Sequence, residues 1–184
     1  KTRNFMSSII ISLFTLLSPN FVFSENINSD VEMLLDKLSK SSKNEAKQIR
    51  NEIWNVWLNH RNSSIGNLTR QAMDYFSSGE LSEAEKAFSS LIAMDPSFVE
   101  GWNKRATIRY MQGDFEGSLD DISEVLVRQP RHFGAISGKG MILFQQENYE
   151  DAIKVYSDLL EVDPHNDFGM IMYKKLTKIL GDFV

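Results

Sequence analysis

The sequence of 184 residues contains no cysteine. This absence excludes disulfide bonds, thiolate zinc sites and cysteine nucleophiles. Histidine is nearly as scarce, with three residues at His60, His132 and His165. No two of them have the i, i+4 spacing that would place two metal ligands on one face of a helix. We therefore expect no metal site and no bound cofactor.

Positive charge is also in short supply, with 20 lysines and arginines against 25 acidic residues and a net charge of −5. Binding to a phosphate backbone requires a positive surface, so a nucleic acid is not expected as the main partner. The acidic residues are numerous, but the sequence does not place two of them opposite a nucleophile or a glycine-rich loop. We therefore predict that the protein is not an enzyme.

The apolar run at residues 9–17 is too short for a membrane span, since a helix needs about 20 apolar residues to cross a bilayer. Two basic residues, Lys1 and Arg3, precede this run, and the small residue Ser24 follows it. A positive start, a short apolar core and a small residue before the cleavage position are typical of a signal peptide. We predict a signal peptide over residues 1–24; a retained membrane anchor is the alternative.

The sequence does contain a regular period. Prolines recur at a constant interval, and so do the turn positions between paired amphipathic patterns. The prolines are Pro96, Pro130 and Pro164, and the turn positions are Gly79, Gly113 and Glu147. Such a constant 34-residue period is typical of stacked helical hairpins rather than of one globular core. It predicts three repeats, over residues 65–98, 99–132 and 133–166.

Small residues recur where the two helices of each hairpin are expected to approach closely. They are Ala72, Ala106 and Gly140 in the first helices and Ala84, Ser118 and Ala152 in the second. With these positions the repeats resemble the tetratricopeptide repeat (TPR) family, of which a 34-residue period is a signature. The resemblance implies an all-α fold, a right-handed α-solenoid of three TPR helical hairpins. The stretches GWNKRA and PRHFGA are similar to those of exported, mostly alphaproteobacterial, TPR repeat-containing proteins.

The flanks lie outside the repeat pattern. Residues 25–64 contain two amphipathic patterns that predict an N-terminal helical pair, with Ile53 and Trp57 on an apolar face. We expect this pair to pack against the first repeat, because an end unit must cover exposed apolar surface. Residues 167–184 predict a C-terminal capping helix. The predicted total is nine helices and no sheet.

The resemblance also implies a concave groove, lined by the first helix of each repeat, that receives a peptide or a helix of a partner. The inward-facing positions carried over from the family are Thr69, Arg70, Met73, Asn103, Lys104, Thr107, Tyr110, Ser137, Met141 and Phe144. We expect Asn103 to bond a partner's backbone, and Arg70 and Lys104 to meet acidic groups. Flexible Met141 and aromatic Phe144 suit apolar partner side chains.

One subfamily grips the C-terminal carboxylate of chaperone tails with lysine, asparagine and arginine at set groove positions. Here the corresponding residues are Thr69, Met73, Lys104, Gly134 and Gly138. Only one of them is basic and none is the asparagine of that subfamily. Chaperone tails are therefore not the expected partner class.

The middle repeat departs from the family pattern at Arg105 and Arg109, which replace apolar residues and share one helix face. Two interpretations stay open. The arginines pair with Asp120 and Asp121 within the hairpin and fix its register, or they form an accessory subsite for acidic ligands together with Lys104.

The loop 131–134 offers two further accessory candidates, Arg131 and His132. It is basic and aromatic and is expected at the groove edge. The alternative is a simple turn between helices in which Phe133 packs into the core.

These observations predict a non-enzymatic TPR module, an exported adaptor that binds a peptide or protein segment in its concave groove. The bacterial resemblance and the signal peptide place it in the periplasm, not integral to the membrane after cleavage. The alternative is a structural subunit of an envelope complex that associates through the convex face or the helical ends, such as the apolar segment 168–184.

Overall fold

The computed structural model describes residues 19–60 and 62–181. Over these residues the chain forms nine helices and no strand. The helices are α1 (Pro19–Ser39), α2 (Lys43–Leu58), α3 (Ser63–Ser77), α4 (Leu81–Met94), α5 (Val99–Gln112), α6 (Phe115–Arg128), α7 (Phe133–Gln145), α8 (Tyr149–Val162) and α9 (Asp167–Gly181). The all-α prediction is confirmed. Residues 1–18 of the predicted signal peptide lie outside the described residues, and α1 continues through Ser24, the predicted cleavage position.

Helices α3 to α8 form three hairpins, and each hairpin turns at the position predicted from the repeat period. Gly79, Gly113 and Glu147 have left-handed backbone, with φ of 76°, 83° and 59°. The next residue in each turn donates its N–H to a carbonyl five positions back, as Asp114 does to Arg109 at 2.9 Å. This arrangement satisfies the carbonyl groups left unpaired at a helix end. Glu147 adopts it without the conformational freedom of glycine.

The small residues lie where the two helices of each hairpin touch. At Gly140, an added Cβ would lie 2.8 Å from the ring of Tyr156, which is fully buried on α8. Ala72 and Ala106 occupy the equivalent places on α3 and α5, and both are buried. The predicted close approach of paired helices is confirmed.

The N-terminal pair α1–α2 packs against the third repeat and α9, and the expectation that it covers the first repeat is wrong. Its buried residues form one apolar cluster with α7, α8 and α9, while the core of the first repeat is a separate cluster. The shared cluster comprises Val31, Leu35, Leu38, Ala46, Ile49, Ile53 and Trp57 of the pair with Phe133, Ile136, Ala152, Val155, Tyr156, Leu159, Val162, Met172 and Leu176.

The physical reason lies on the outer face of α3. Asn67, Gln71 and Asp74 occupy the positions that correspond, one repeat later, to Gly101, Arg105 and Ile108 of α5. Gly101 and Ile108 are buried, whereas the three polar residues of α3 are exposed. The first repeat therefore ends in a polar face that needs no cover, as the terminal unit of a repeat array requires.

Polar contacts hold the pair along the loops that join one hairpin to the next. His60 bonds Asp95 at 2.8 Å, and Arg50 bonds both oxygens of Asp163 at 2.9 Å. Asp95 and Asp163 occupy the same position in loops two repeats apart. The pair thus spans the loop edge of the whole array.

No helix within the described ranges is both long enough and apolar enough to span a membrane. Helix α9 closes the far end of the array against α8, burying Gly169, Met172 and Leu176. Phe168 and Ile171 of the same helix are 43% and 63% exposed. The capping helix thus keeps an apolar surface at the C-terminal end.

Candidate functional site

Five of the residues predicted to line the groove surround one cavity between α5 and α7. They are Asn103, Thr107, Tyr110, Ser137 and Met141. The cavity has a volume of about 180 Å³, and its remaining lining consists mostly of small residues and Ile122. Such a surface combines hydrogen-bonding groups with an adaptable thioether, and it is large enough for one or two partner side chains.

Asn103 is held in place by a buried carboxylate. Its Nδ2 donates to both oxygens of Glu100, at 3.2 and 3.1 Å. Glu100 is 1% exposed and also bonds Nε2 of His132 at 3.2 Å. Because Nδ1 of His132 accepts from the backbone N–H of Ala135, the ring proton lies on Nε2 and is donated to Glu100. The Oδ1 of Asn103 accepts no bond from the described residues and is the group available to a partner N–H.

Glu100 is a carboxylate despite its burial. Burial alone would raise its pKa, but the hydrogen bond from His132 and the ammonium group of Lys104 outweigh that effect and hold the pKa below the ordinary 4.5. The Lys104 ammonium lies 3.1 Å from Glu100. One buried acid therefore orients three groups of the second repeat.

Helix α2 forms one side of the groove at Trp54. The Nζ of Lys104 lies 5.1 Å from the centroid of the Trp54 ring, within the range of a cation–π contact. A Cβ at Gly134 would come within 2.8 Å of the same indole, so only glycine lets α2 approach α7 this closely. Lys104, predicted to meet an acidic partner, is engaged by Glu100 and Trp54 of its own chain.

The first-repeat candidates do not join the cavity. Thr69 is buried and donates its hydroxyl to the carbonyl of Ile65 at 2.8 Å. Arg70 lies beside a separate shallow cavity on α3, where its guanidinium bonds Asn67. Met73 packs, partly buried, against the core of the first repeat. The candidate binding surface is therefore limited to α5, α7 and the helices beside them.

Phe144 lies at the other end of the groove, beside α9. Its ring is 5.6 Å from that of Tyr149, and the Nζ of Lys175 lies 4.4 Å from its centroid. Phe144 therefore forms a cation–π contact with the capping helix.

The two arginines of the middle repeat form a network within the array. Arg105 donates to both oxygens of Asp121, at 2.9 and 2.7 Å, and to Ser89 at 3.1 Å. Arg109 donates to Glu85 at 3.0 Å and to Asp121 at 3.1 Å. Asp121 is 1% exposed. The interpretation of pairing within the hairpin is confirmed for Asp121, while Asp120 is exposed and bonds neither arginine. The network reaches α4 as well, so both guanidinium groups are engaged within the protein.

The accessory candidates of the loop 131–134 bind the N-terminal pair. Arg131 forms ion pairs with Glu32 and Asp36 of α1. His132 is fully buried and stacks on Trp57, with ring centroids 3.9 Å apart and an interplanar angle of 18°. Both residues contact their own chain, and the alternative of a turn with Phe133 in the core is confirmed.

Three residues of the site were not predicted from the sequence, namely Trp54, Glu100 and Lys175. Glu100 precedes Lys104 by four residues, a spacing that indicates an ion pair on one helix face. Lys175 follows Met141 by one repeat length. The place of Trp54 depends on how α2 docks, and no local pattern indicates it.

Comparison with known proteins decides the family. The sequence model of the tetratricopeptide repeat matches residues 69–131 and 103–167, which together make up more than half of the chain. The chain belongs to the tetratricopeptide repeat family. A TPR repeat-containing protein of Rhizobium etli is 34% identical over 145 residues, which cover 76% of this chain and 71% of that protein.

Solved structures share the TPR fold. The first TPR domain of Spaghetti (RPAP3), bound to the HSP90 peptide SRMEEVD, matches with a TM-score of 0.61 and 22% identity over 64% of this chain and 93% of that one. A structure of MamA protein matches with a TM-score of 0.60 and 12% identity, over 85% of this chain and 84% of that one. At these identities the likeness concerns the fold alone.

Proposed function

We propose that this TPR protein is an exported, non-enzymatic adaptor that binds an extended segment of a partner protein in the groove between α5, α7 and α9. TPR proteins are protein-interaction modules, and the finer assignment rests on one observation. Asn103, Thr107, Tyr110, Ser137 and Met141 converge on a single cavity without any acidic side chain in its lining.

The mixture of groups favours a peptide chain over a small polar ligand. Asn103 keeps a free acceptor for a backbone N–H, while Tyr110 and Met141 provide apolar contact. The Spaghetti domain, which shares the fold, is bound to a peptide, and this supports a peptide ligand here. Trp54 and Lys104 occupy the region that would receive a chaperone tail, so a different segment is expected.

Export is the second part of the proposal and is supported by residues 1–24 and by the resemblance to exported repeat proteins. Cell fractionation and N-terminal sequencing test it. We expect the protein in the periplasm with Glu25 as its first residue. An intact N-terminus in the membrane fraction would favour the anchor instead.

Groove binding is tested by Thr107→Arg, with Thr177→Arg as a matched control. Both threonines are exposed on helices and donate their hydroxyls to the carbonyl four residues back, at 3.0 and 2.9 Å. Thr107 lines the groove cavity, whereas Thr177 lies on α9 outside it. Cross-linking in cells followed by affinity purification should recover a partner protein with wild type and Thr177→Arg. Equal recovery with Thr107→Arg would refute binding in the groove.

A second candidate function, a structural subunit that associates through its helical ends, is favoured by the exposed apolar side chains of Phe168 and Ile171 on α9. Replacing both with serine would then abolish association while leaving the groove unchanged. The adaptor proposal predicts instead that Thr107→Arg abolishes association and that the two serine replacements do not.

A further inference from the structure

The groove extends beyond the three repeats onto α9. Met73, Thr107, Met141 and Lys175 follow one another at intervals of one repeat length, and so do Phe76, Tyr110, Phe144 and Lys178. Helix α9 packs on α8 through Gly169, Met172 and Leu176. These residues follow Ala135, Gly138 and Ile142 of α7 by the same interval. Helix α9 therefore occupies the place of the first helix of a fourth repeat.

The contact between Lys175 and Phe144 is consistent with this register. The Nζ of Lys175 lies 4.4 Å from the ring centroid of Phe144, a predicted groove residue. Lys175 is exposed, and in the part of the chain that the structure describes it forms no ion pair with a carboxylate. Its ammonium therefore rests on an aromatic face with no anionic partner.

The cations predicted to meet an acidic partner are less available. Lys104 is bonded to Glu100 and lies over Trp54, and the guanidinium of Arg70 bonds Asn67 on another face. Lys175 is thus a groove cation that lies on an aromatic ring and can accept a carboxylate without breaking an existing ion pair.

We propose that the C-terminal end of the groove, formed by Phe144 and Lys175, binds a carboxylate of the partner segment, with an apolar partner side chain next to it on Met141. The inference rests on the proposed groove function and specifies its ligand chemistry. The carboxylate belongs either to an Asp or Glu side chain or to the C-terminus of the segment. The Phe144 ring covers one side of the Lys175 ammonium, and the exposed side is open to a carboxylate.

Lys174 provides a matched control on the adjacent position of the same helix. It occupies the register of Ala72, Ala106 and Gly140, the positions that face the second helix of a hairpin. Since α9 is followed by no described helix, Lys174 is exposed on a face that points away from the groove. Lys174→Glu and Lys175→Glu change the net charge equally.

The test uses random octapeptides on beads, in one set with free and in another with amidated C-termini, and labelled full-length protein. We expect wild type and Lys174→Glu to select peptides with an acidic residue beside an apolar one, or free C-termini in the first set only. Lys175→Glu should lose this preference and select a basic residue at the same position. For one selected peptide, replacing Glu with Gln should weaken binding by about threefold to tenfold, with a smaller effect at high salt.

Three outcomes contradict the proposal, and they differ in meaning. If Thr107→Arg abolishes peptide binding but no set shows a preference for carboxylates, the groove function stands and the role of Lys175 is wrong. If no peptide binds in a manner sensitive to Thr107→Arg, the groove function itself fails and the inference fails with it. A charge-swapped peptide, with Lys in place of Glu, should bind Lys175→Glu better than wild type; failure of this rescue would also refute direct contact.

Discussion

Replacement of Trp57 by alanine should destabilise the protein strongly, because this side chain joins the N-terminal pair to the repeats. Trp57 is 8% exposed and stacks on His132 at 3.9 Å, with Phe133 and Trp54 at 4.9 and 5.2 Å. Removing a buried indole costs about 3–5 kcal/mol in lost transfer free energy and cavity formation. That is a large part of the roughly 5–15 kcal/mol that stabilises a typical domain.

Trp57→Phe separates packing from hydrogen bonding. The indole N–H of Trp57 is buried and has no hydrogen-bond partner in the described residues. Phenylalanine therefore loses no hydrogen bond and should cost well under half as much as alanine. At Trp102, by contrast, the indole donates to the carbonyl of Pro96 at 3.0 Å. Trp102→Phe should accordingly lose about 0.5–1.5 kcal/mol for that bond alone.

Urea unfolding followed by circular dichroism at equilibrium gives the free energies of unfolding for these variants. A loss below about 1 kcal/mol for Trp57→Ala would contradict the docking of the pair on the third repeat. Equal losses for Trp57→Phe and Trp57→Ala would contradict the attribution of the loss to packing of the ring.

Three further predictions concern the interior and the turns. Glu100 has a lowered pKa, so its contribution to stability is complete above about pH 4.5 and is lost as the pH falls through its folded pKa. Glu100→Gln should therefore flatten the pH dependence of the free energy of unfolding below about pH 5. An unchanged slope would contradict this role of Glu100. Arg105→Ala leaves the buried carboxylate of Asp121 with Arg109 alone and should lower the free energy of unfolding in urea by about 2–3 kcal/mol. A free energy of unfolding close to that of wild type would contradict a buried ion pair. Glu147 has a φ of 59°, so Glu147→Gly should raise the free energy of unfolding by up to about 1 kcal/mol, and a lower melting temperature would show that its turn is not strained.

The repeat architecture was predictable because each element obeys a local rule. The constant period placed the turns at Gly79, Gly113 and Glu147, and all three have the left-handed backbone that such turns require. Small residues at one register and larger apolar residues at others specify how helices pair within a hairpin. These features depend on sequence spacing alone.

The docking site of the N-terminal pair was not predictable in the same way. An amphipathic stripe such as that of Ile49, Ile53 and Trp57 indicates that a helix is buried, but not which surface covers it. The exposed polar residues Gln71 and Asp74 on α3 were the available indication that the first repeat needs no cover. Because the pair docks on the third repeat instead, residues of α2 form one side of the groove.

The candidate site was predicted in part, for a related reason. Carrying family positions across the repeats found five of the residues that line the cavity, since the groove follows the repeat register. The family positions do not show which candidate residues already contact other residues of the same chain. Lys104 forms an ion pair with Glu100, and His132 is buried under Trp57. Stopping at the third repeat also omitted Lys175, although one more repeat length from Met141 leads to it.

The central claim, that the concave groove is the binding surface, is tested most directly by NMR of protein labelled with ¹³C at the methionine methyl groups. Met141 lines the groove cavity, whereas Met33 and Met94 are 65% and 53% exposed on α1 and α4. On addition of a selected octapeptide, we expect the Met141 signal to shift most and the Met33 and Met94 signals to stay unchanged. Shifts at Met33 or Met94 with none at Met141 would place binding outside the groove and contradict the account.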